Sequence, residues 1–142
     1  MSLMKEVFCA IIGIIGGLVI TLLGGWDSVM VALIVFMAID FITGLIVATV
    51  FQNSKHGKGG LESKVCWKGM YKKGVTLLIC LMAAYFDRLL GTSFILNAVA
   101  IGFIVSESIS IIENAGLMGI PIPAQLKDAI AILKTKSKDG DK

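Results

Sequence analysis

The long apolar segments of this chain limit its fold more than any other feature. A membrane-spanning helix needs about 20 mostly apolar residues, and the sequence predicts four spans, over residues 7–23, 29–51, 66–86 and 94–112. Strongly hydrophobic residue types make up 56% of the chain, more than in ordinary soluble domains. Four spans would use about 80 residues and leave no room for a separate soluble catalytic domain. The predicted fold class is therefore all-α and integral to a membrane.

The third predicted span has a short apolar centre. Gly74–Phe86 contains 13 residues, roughly 20 Å of helix, which is less than the thickness of a bilayer. A helix that begins near Val65 reaches the required length if its lysine side chains extend to the membrane surface. The alternative is a three-span variant in which this segment is re-entrant or lies at the interface.

The carboxyl-terminal part separates from the predicted membrane domain, residues 1–113, at a group of turn-forming residues. These are Gly116, Gly119, Pro121 and Pro123. Over 124–134 apolar residues recur at helical spacing, which predicts a short amphipathic helix suited to the membrane surface or to a partner helix. Residues 114–142 are predicted to form a cytoplasmic tail with a disordered end, 135–142.

Basic residues lie almost entirely on one side of the predicted spans. The segments before the first span, between the second and third, and after the fourth contain 12 lysines, whereas the two other loops contain only Arg88. Cytoplasmic segments of membrane proteins carry an excess of basic residues. With four spans, both termini and the basic loop 52–73 are therefore predicted to be cytoplasmic.

Polar side chains within the spans are the first candidates for function. A carboxylate such as that of Asp40 at a helix centre costs about 2.5 to 3.5 kcal/mol on insertion scales, and it usually faces protein or water. Two interpretations stay open: a pore-lining or interface carboxylate, and a protonated group that serves packing alone. The polar residues predicted to lie in a pore or an interface are Asp40, Thr43, Glu107, Glu113 and Asn114.

Small residues recur at a spacing of four, which places them on one face of each helix. Such faces let helix backbones approach closely, within one chain or between chains. Three of them in one short chain favour self-association. The residues predicted to pack in this way are Gly13, Gly17, Gly44, Ala48, Ala98, Gly102, Ser106 and Ser110.

The basic loop ends in a segment with a helical pattern of lysines. Lys64, Lys68 and Lys72 fall on one helix face, and together with Lys73 they are predicted to contact the anionic headgroups of the bilayer. The topological bias of basic residues already accounts for this loop, so nucleic acid is not a predicted partner.

Enzymatic chemistry is not indicated by any motif. The sequence has no nucleophile with a matching base and no phosphate-binding glycine loop. The three cysteines, Cys9, Cys66 and Cys80, are odd in number and match no metal-binding spacing, and His56 has no second ligand nearby in sequence. We therefore predict neither an enzyme nor a cofactor or metal site.

Three motifs resemble one known family. They are DFITG at 40–44, SKVCWKGMYKK at 63–73, and SISIIEN at 108–114 followed by GIPIP at 119–123 and Leu126-Lys127. These segments are similar to the toxin secretion/phage lysis holin family, and the resemblance covers about residues 30–134. The last block is the most specific, because hydropathy alone would not generate it.

The resemblance implies a homo-oligomer in the bacterial cytoplasmic membrane. Proteins of this family open lesions that release a cell-wall-degrading endolysin, or in some toxin loci a large toxin, and collapse the proton-motive force. A small ion channel or transporter subunit, with Asp40 and Glu107 as permeation residues, is the alternative, and an integral-membrane enzyme is the third hypothesis. Stable dimers that conduct one ion without lysis would favour the channel.

Overall fold

The computed structural model describes residues 2–22, 27–51 and 63–139. These form the helices α1 (Ser2–Leu22), α2 (Ser28–Thr49), α3 (Ser63–Leu90), α4 (Ile95–Leu117) and α5 (Ala124–Asp139). The all-α prediction is confirmed. The predicted turn at Gly24 and Gly25, the loop around His56 and residues 140–142 lie outside the described residues.

Helix α4 lies at the centre of the fold. It packs against α2, α3 and α5, and the side chains buried between the helices form one apolar core. The α4 members of this core are Leu96, Ala100 and Ile104, which recur every four residues and so occupy one face. Leu33 of α2 and Cys80 of α3 are fully buried in the same core.

The core residues also give the relative directions of the helices. In α2 and α4 the first half of the helix supplies the apolar core, for example through Met30 and Leu96. In α3 the core residues, Cys80 to Ala84, come from the second half. Helices α2 and α4 therefore run in the same direction and α3 runs against them.

Asp87 organises the turn between α3 and α4. Its carboxylate accepts hydrogen bonds from Thr92 Oγ1 at 2.6 Å, from the Ile95 N–H at 3.0 Å and from the Leu96 N–H at 2.9 Å. The first N–H groups of a helix have no partner within the helix, so Asp87 acts as a cap. Gly91, with φ of +66°, closes the end of α3 in the left-handed conformation.

A second left-handed glycine ends α4. Gly119 has φ of +76°, and the N–H of Ile120 donates to the carbonyl of Ala115 at 2.9 Å. After this turn α5 folds back along α4, with Leu133 packed against the apolar core. Helix α5 begins at 124 as predicted but continues to Asp139, so residues 135–139 of the predicted disordered end are helical.

Helix α3 is continuous through the end of the predicted basic loop. Residues 63–73 belong to the same helix as the predicted third span, because nothing in them breaks helical hydrogen bonding. The 28 residues of α3 correspond to about 42 Å. By length and composition, α2 and α4 qualify as membrane spans among the described helices, with mean hydropathies of 2.6 and 2.0. The count of four spans therefore remains a proposal.

Helix α1 lies at the periphery. Its described side chains are exposed along the helix, and Ile14, for example, is 72% exposed. An apolar helix with this exposure is expected to be surrounded by lipid or by another chain.

Replacing Asp87 with alanine should lower the stability of the folded protein. The change removes the acceptor of the Ile95 and Leu96 N–H groups, and the loss of a helix cap costs about 0.5 to 2 kcal/mol. We expect a lower Tm than wild type for thermal unfolding in detergent. Asp128→Ala, at an exposed position of α5, is the control and should leave the Tm unchanged.

The same carboxyl group should make stability depend on pH. Asp87 lies just beyond the predicted span 66–86; burial acts to raise its pKa, but hydrogen bonds from Thr92, Leu96 and Ile95 hold the pKa below its ordinary value. Its stabilising effect is therefore present above the ordinary pKa of aspartic acid and is lost as the pH falls through the lowered pKa. The Tm difference between wild type and Asp87→Ala should shrink on acidification, and a constant difference would contradict this role.

Candidate functional site

Three charged side chains meet where α2, α3 and α4 pack together. The Nζ atom of Lys73 in α3 lies 2.9 Å from Oδ2 of Asp40 in α2 and 2.6 Å from Oε2 of Glu107 in α4. Each side chain is largely buried, with between 15% and 19% of its surface exposed. We call Asp40, Lys73 and Glu107 the charged cluster.

An amide from α4 extends the charged cluster along α2. Nδ2 of Asn114 donates to Oγ1 of Thr43 at 2.8 Å and reaches the Oδ1 and backbone oxygens of Asp40 at 3.3 and 3.2 Å. The Thr43 hydroxyl donates to the carbonyl of Ile39 at 2.8 Å. Asn114 is only 2% exposed, and a buried amide is retained in a fold only where such partners exist.

Gly44 allows α2 and α4 to approach at this amide. A Cβ atom at Gly44 would lie 3.7 Å from Nδ2 of Asn114, which is an ordinary contact distance. A larger side chain would occupy the space of the amide. The predicted face of Asp40 and Gly44 is thus directed at α4. Ala48 lies on the same face of α2 and is half-buried.

The charged cluster contains two carboxylates and one ammonium group, so its net charge is negative when all three are ionised. Charges interact strongly in a low-dielectric environment, and a buried charge that loses its partner is strongly unfavourable. While the helices stay packed, Lys73 compensates both carboxylates. If the helices separate, water has to replace that compensation. The charged cluster therefore couples helix packing to the access of water.

The structure brings together most of the polar residues predicted for a pore or an interface. Those in contact are Asp40, Thr43, Glu107 and Asn114. Glu113 is exposed on α4. The sequence groups Lys73 with the membrane-surface lysines, but its ammonium group lies between two carboxylates, so that grouping is corrected. Lys68 and Lys72 are exposed, and the side chain of Lys64 lies outside the described residues.

The small-residue stripe of α4 is not the face that forms the core. Its half-buried members are Ala98, Gly102 and Ser110, and Ser106 is exposed. The buried face instead carries Leu96, Ala100, Ile104 and Ser108. Packing through the stripe remains a prediction for contacts between chains.

For the glycines of α1, close packing also remains a prediction. A Cβ atom built on Gly13 or Gly17 meets no described atom within 4 Å. Close packing at these glycines is therefore a prediction for a second chain rather than for the described part of one chain.

The predictions from the sequence do not include the roles of two side chains, Lys73 and Asp87. Lys73 directly precedes an apolar run. Asp40 and Glu107 lie within two other apolar runs, and buried acids need a positively charged partner. The need to balance these two negative charges could have identified Lys73. Asp87 precedes the first residue of α4 by eight positions, whereas a usual cap directly precedes its helix. No local pattern signals its role.

A known protein family matches most of this chain in sequence. The model of the bacteriophage holin family matches residues 17–135, which include the charged cluster, Asn114 and the turn between α4 and α5. The chain belongs to this family. Its members are membrane-pore proteins rather than enzymes, and they oligomerise in membranes. The two strongly apolar helices α2 and α4 agree with a membrane protein.

Individual relatives extend over most of the chain. An uncharacterised 14.9 kDa protein of the nagH 3′ region of Clostridium perfringens is 37% identical and covers 86% of this chain and 89% of its own. An uncharacterised protein of Clostridium perfringens strain 13 is 35% identical, over 92% and 95% of the two chains. A probable holin of Bacillus phage phi105 is 29% identical over 72% of each chain. No solved structure matches the chain significantly.

Replacing Lys73 with methionine should destabilise the packing of α2, α3 and α4. The carboxylates of Asp40 and Glu107 would lose their shared ammonium partner, and breaking a buried ion pair costs about 3 to 5 kcal/mol. We expect a clearly lower Tm in detergent. Lys72→Met changes the exposed neighbouring lysine and should retain the wild-type Tm.

A combined variant separates charge from shape. Lys73→Met together with Asp40→Asn and Glu107→Gln removes all three charges and should recover a large part of the lost Tm. A wild-type Tm in the single Lys73→Met variant would mean that the ammonium group is not what compensates the two acids.

Proposed function

We propose that this chain is a pore-forming holin of the bacterial cytoplasmic membrane. Copies of the chain accumulate in the membrane in a closed form, assemble into homo-oligomers and then open lesions. The lesions collapse the proton-motive force and let a soluble endolysin or a large toxin leave the cytoplasm. Membership of the holin family and the similarity to the probable phage holin support this proposal.

The charged cluster is the observation that carries the proposal. One ammonium group contacts both carboxylates within one chain, and such pairing suits a protein that must remain in lipid without conducting ions. An assembly that separates α3 from α2 or α4 would uncover the charges of Asp40, Lys73 and Glu107. A water-filled lumen would satisfy them, whereas lipid would not. The same residues thus stabilise a closed arrangement and suit an open one.

The proposed topology has four spans, one within each of the helices α1 to α4, with both termini in the cytoplasm. Because Lys73 is compensated by two carboxylates, the part of α3 that lipid tolerates can begin before Gly74. The segments that carry the other 11 lysines all join the spans at the cytoplasmic side in this topology, opposite Arg88.

The first turns of α3 are proposed to contact anionic lipid headgroups. Lys68 and Lys72 are exposed there. Beside them Trp67 and Tyr71, with ring centroids 6.0 Å apart, are also exposed. Aromatic and basic side chains of this kind are enriched at the headgroup level of membranes.

Asp40→Leu should accumulate in the membrane at least as well as wild type, because it removes the insertion cost of a carboxylate. It also removes the contacts of Asp40 with Lys73 and Asn114, so we expect the onset of depolarisation to shift or to be abolished. Asp40→Asn keeps much of the hydrogen bonding and should lie between. The measurement is the time to loss of membrane potential at matched expression, with lysis by a co-expressed endolysin recorded separately.

Asp27→Asn is the matched control on the same helix. Its side-chain oxygen can still accept the hydrogen bond from the Met30 N–H that caps α2, so timing should be unchanged. Wild-type timing and lysis in Asp40→Leu would show that Asp40 is incidental. A wild-type protein that never depolarises cells would overturn the holin proposal, and ion conduction by stable dimers without lysis would identify a channel.

Single-cysteine labelling tests the proposed topology. In a background without Cys9, Cys66 and Cys80, cysteines placed at Ser28 or Thr92 should react with a membrane-impermeant reagent from outside the cytoplasm. Both positions lie at ends of proposed spans. Labelling of either position from the cytoplasmic side alone would exclude this topology.

A further inference from the structure

Helix α5 lies beside the middle of a helix that qualifies as a membrane span. It contacts α4, and Leu133 packs against the apolar core whose α4 members include Ile104. Ile104 is 13 residues from Leu117, the last residue of α4, which corresponds to about 20 Å of helix. Helix α5 therefore runs back from the connecting turn to the level of the bilayer interior.

The charge on α5 increases with distance from the connecting turn. Lys134, Lys136 and Lys138 follow Leu133 and are exposed, and Asp139 is the acid at the same end of the helix, so this end is net positive. A lysine in a lipid-facing helix keeps its ammonium group in water by extending to a nearby surface, which requires a position near a helix end at the interface. These lysines occupy the opposite end of α5. The helix has 16 residues, about 24 Å, so it does not carry them across a bilayer core of about 30 Å.

Lipid is therefore an unsuitable environment for the exposed face of α5 in this arrangement. Resting on the function proposed above, we propose that α5 lines the aqueous lumen of the assembled pore. Leu133 attaches the helix to α4, and the three lysines face water. Each copy of the chain contributes one such helix, so the lumen is surrounded by rings of ammonium groups. While it is still narrow, the pore then conducts chloride in preference to potassium.

This placement differs from the one that the amphipathic pattern alone suggests. A helix released from α4 could lie flat on the membrane surface with its apolar side chains in the headgroup region. Ile132, which is 60% exposed, would then contact lipid. In the lumen the same side chain faces water or the α5 of a neighbouring copy. A probe at this position distinguishes the two arrangements.

The first experiment locates that position. The full-length chain with Cys9→Ser, Cys66→Ser, Cys80→Ala and Ile132→Cys carries an environment-sensitive fluorophore in liposomes of phosphatidylethanolamine and phosphatidylglycerol. We expect quenching by iodide and none by nitroxides attached to lipid acyl chains. The matched probe at Val35→Cys, exposed in the middle of α2, should show the reverse. Quenching of the Ile132 probe by shallow or deep acyl-chain nitroxides would overturn the proposal.

The second experiment measures ion selectivity in planar bilayers across a KCl gradient. The wild-type reversal potential should have the sign of a chloride-preferring pore. The triple variant Lys134→Glu, Lys136→Glu and Lys138→Glu should invert that sign, whereas Lys5→Glu on the exposed α1 should not. Conducting triple-variant pores with unchanged selectivity would remove α5 from the lumen but leave the holin function standing. An absence of current from the wild-type protein would overturn both.

Discussion

The contact of one ammonium group with two carboxylates decides how the central helices pack. Lys73 reaches both Asp40 and Glu107 only when α2, α3 and α4 hold one relative depth. An apolar interface can adjust by small shifts, whereas a buried charge that loses its partner is strongly unfavourable. The apolar core below the charged cluster supplies most of the contact area. The ion pairs determine which packing arrangement the apolar core adopts.

In the proposed topology, the same contact lets α3 serve as a span despite its short apolar run. An uncompensated Lys73 would have to extend to the membrane surface, and the apolar segment would then begin only at Gly74. Pairing with two acids moves the effective boundary toward the start of the helix. In turn, α3 supplies the positive charge that makes carboxylates tolerable in α2 and α4. Each of the three helices is thus a poorer membrane segment alone than in the packed chain.

Much of the fold follows from the sequence, because apolar runs and turn residues act locally. The runs place α1 to α4, and Gly119 with the following prolines ends α4 where expected. Asp40 and Glu107 are recognisable because each interrupts an apolar run. Lys73 is different, since it belongs to a lysine-rich segment and only the three-dimensional packing separates it from its neighbours. The docking of α5 is equally hidden, because an amphipathic pattern suits a membrane surface as well as a helix.

Helix α4 connects the two groups of charges that must find water in the proposed assembly. It carries Glu107 toward α3, and it also holds α5 through the core contact of Leu133. A movement of α4 therefore alters the environment of the charged cluster and of the α5 lysines together. In a single chain surrounded by lipid, the charged cluster gains no substitute for its lost contacts, so opening is unfavourable. Several chains around one lumen provide water for both groups at once, which makes opening a property of the assembly rather than of the monomer.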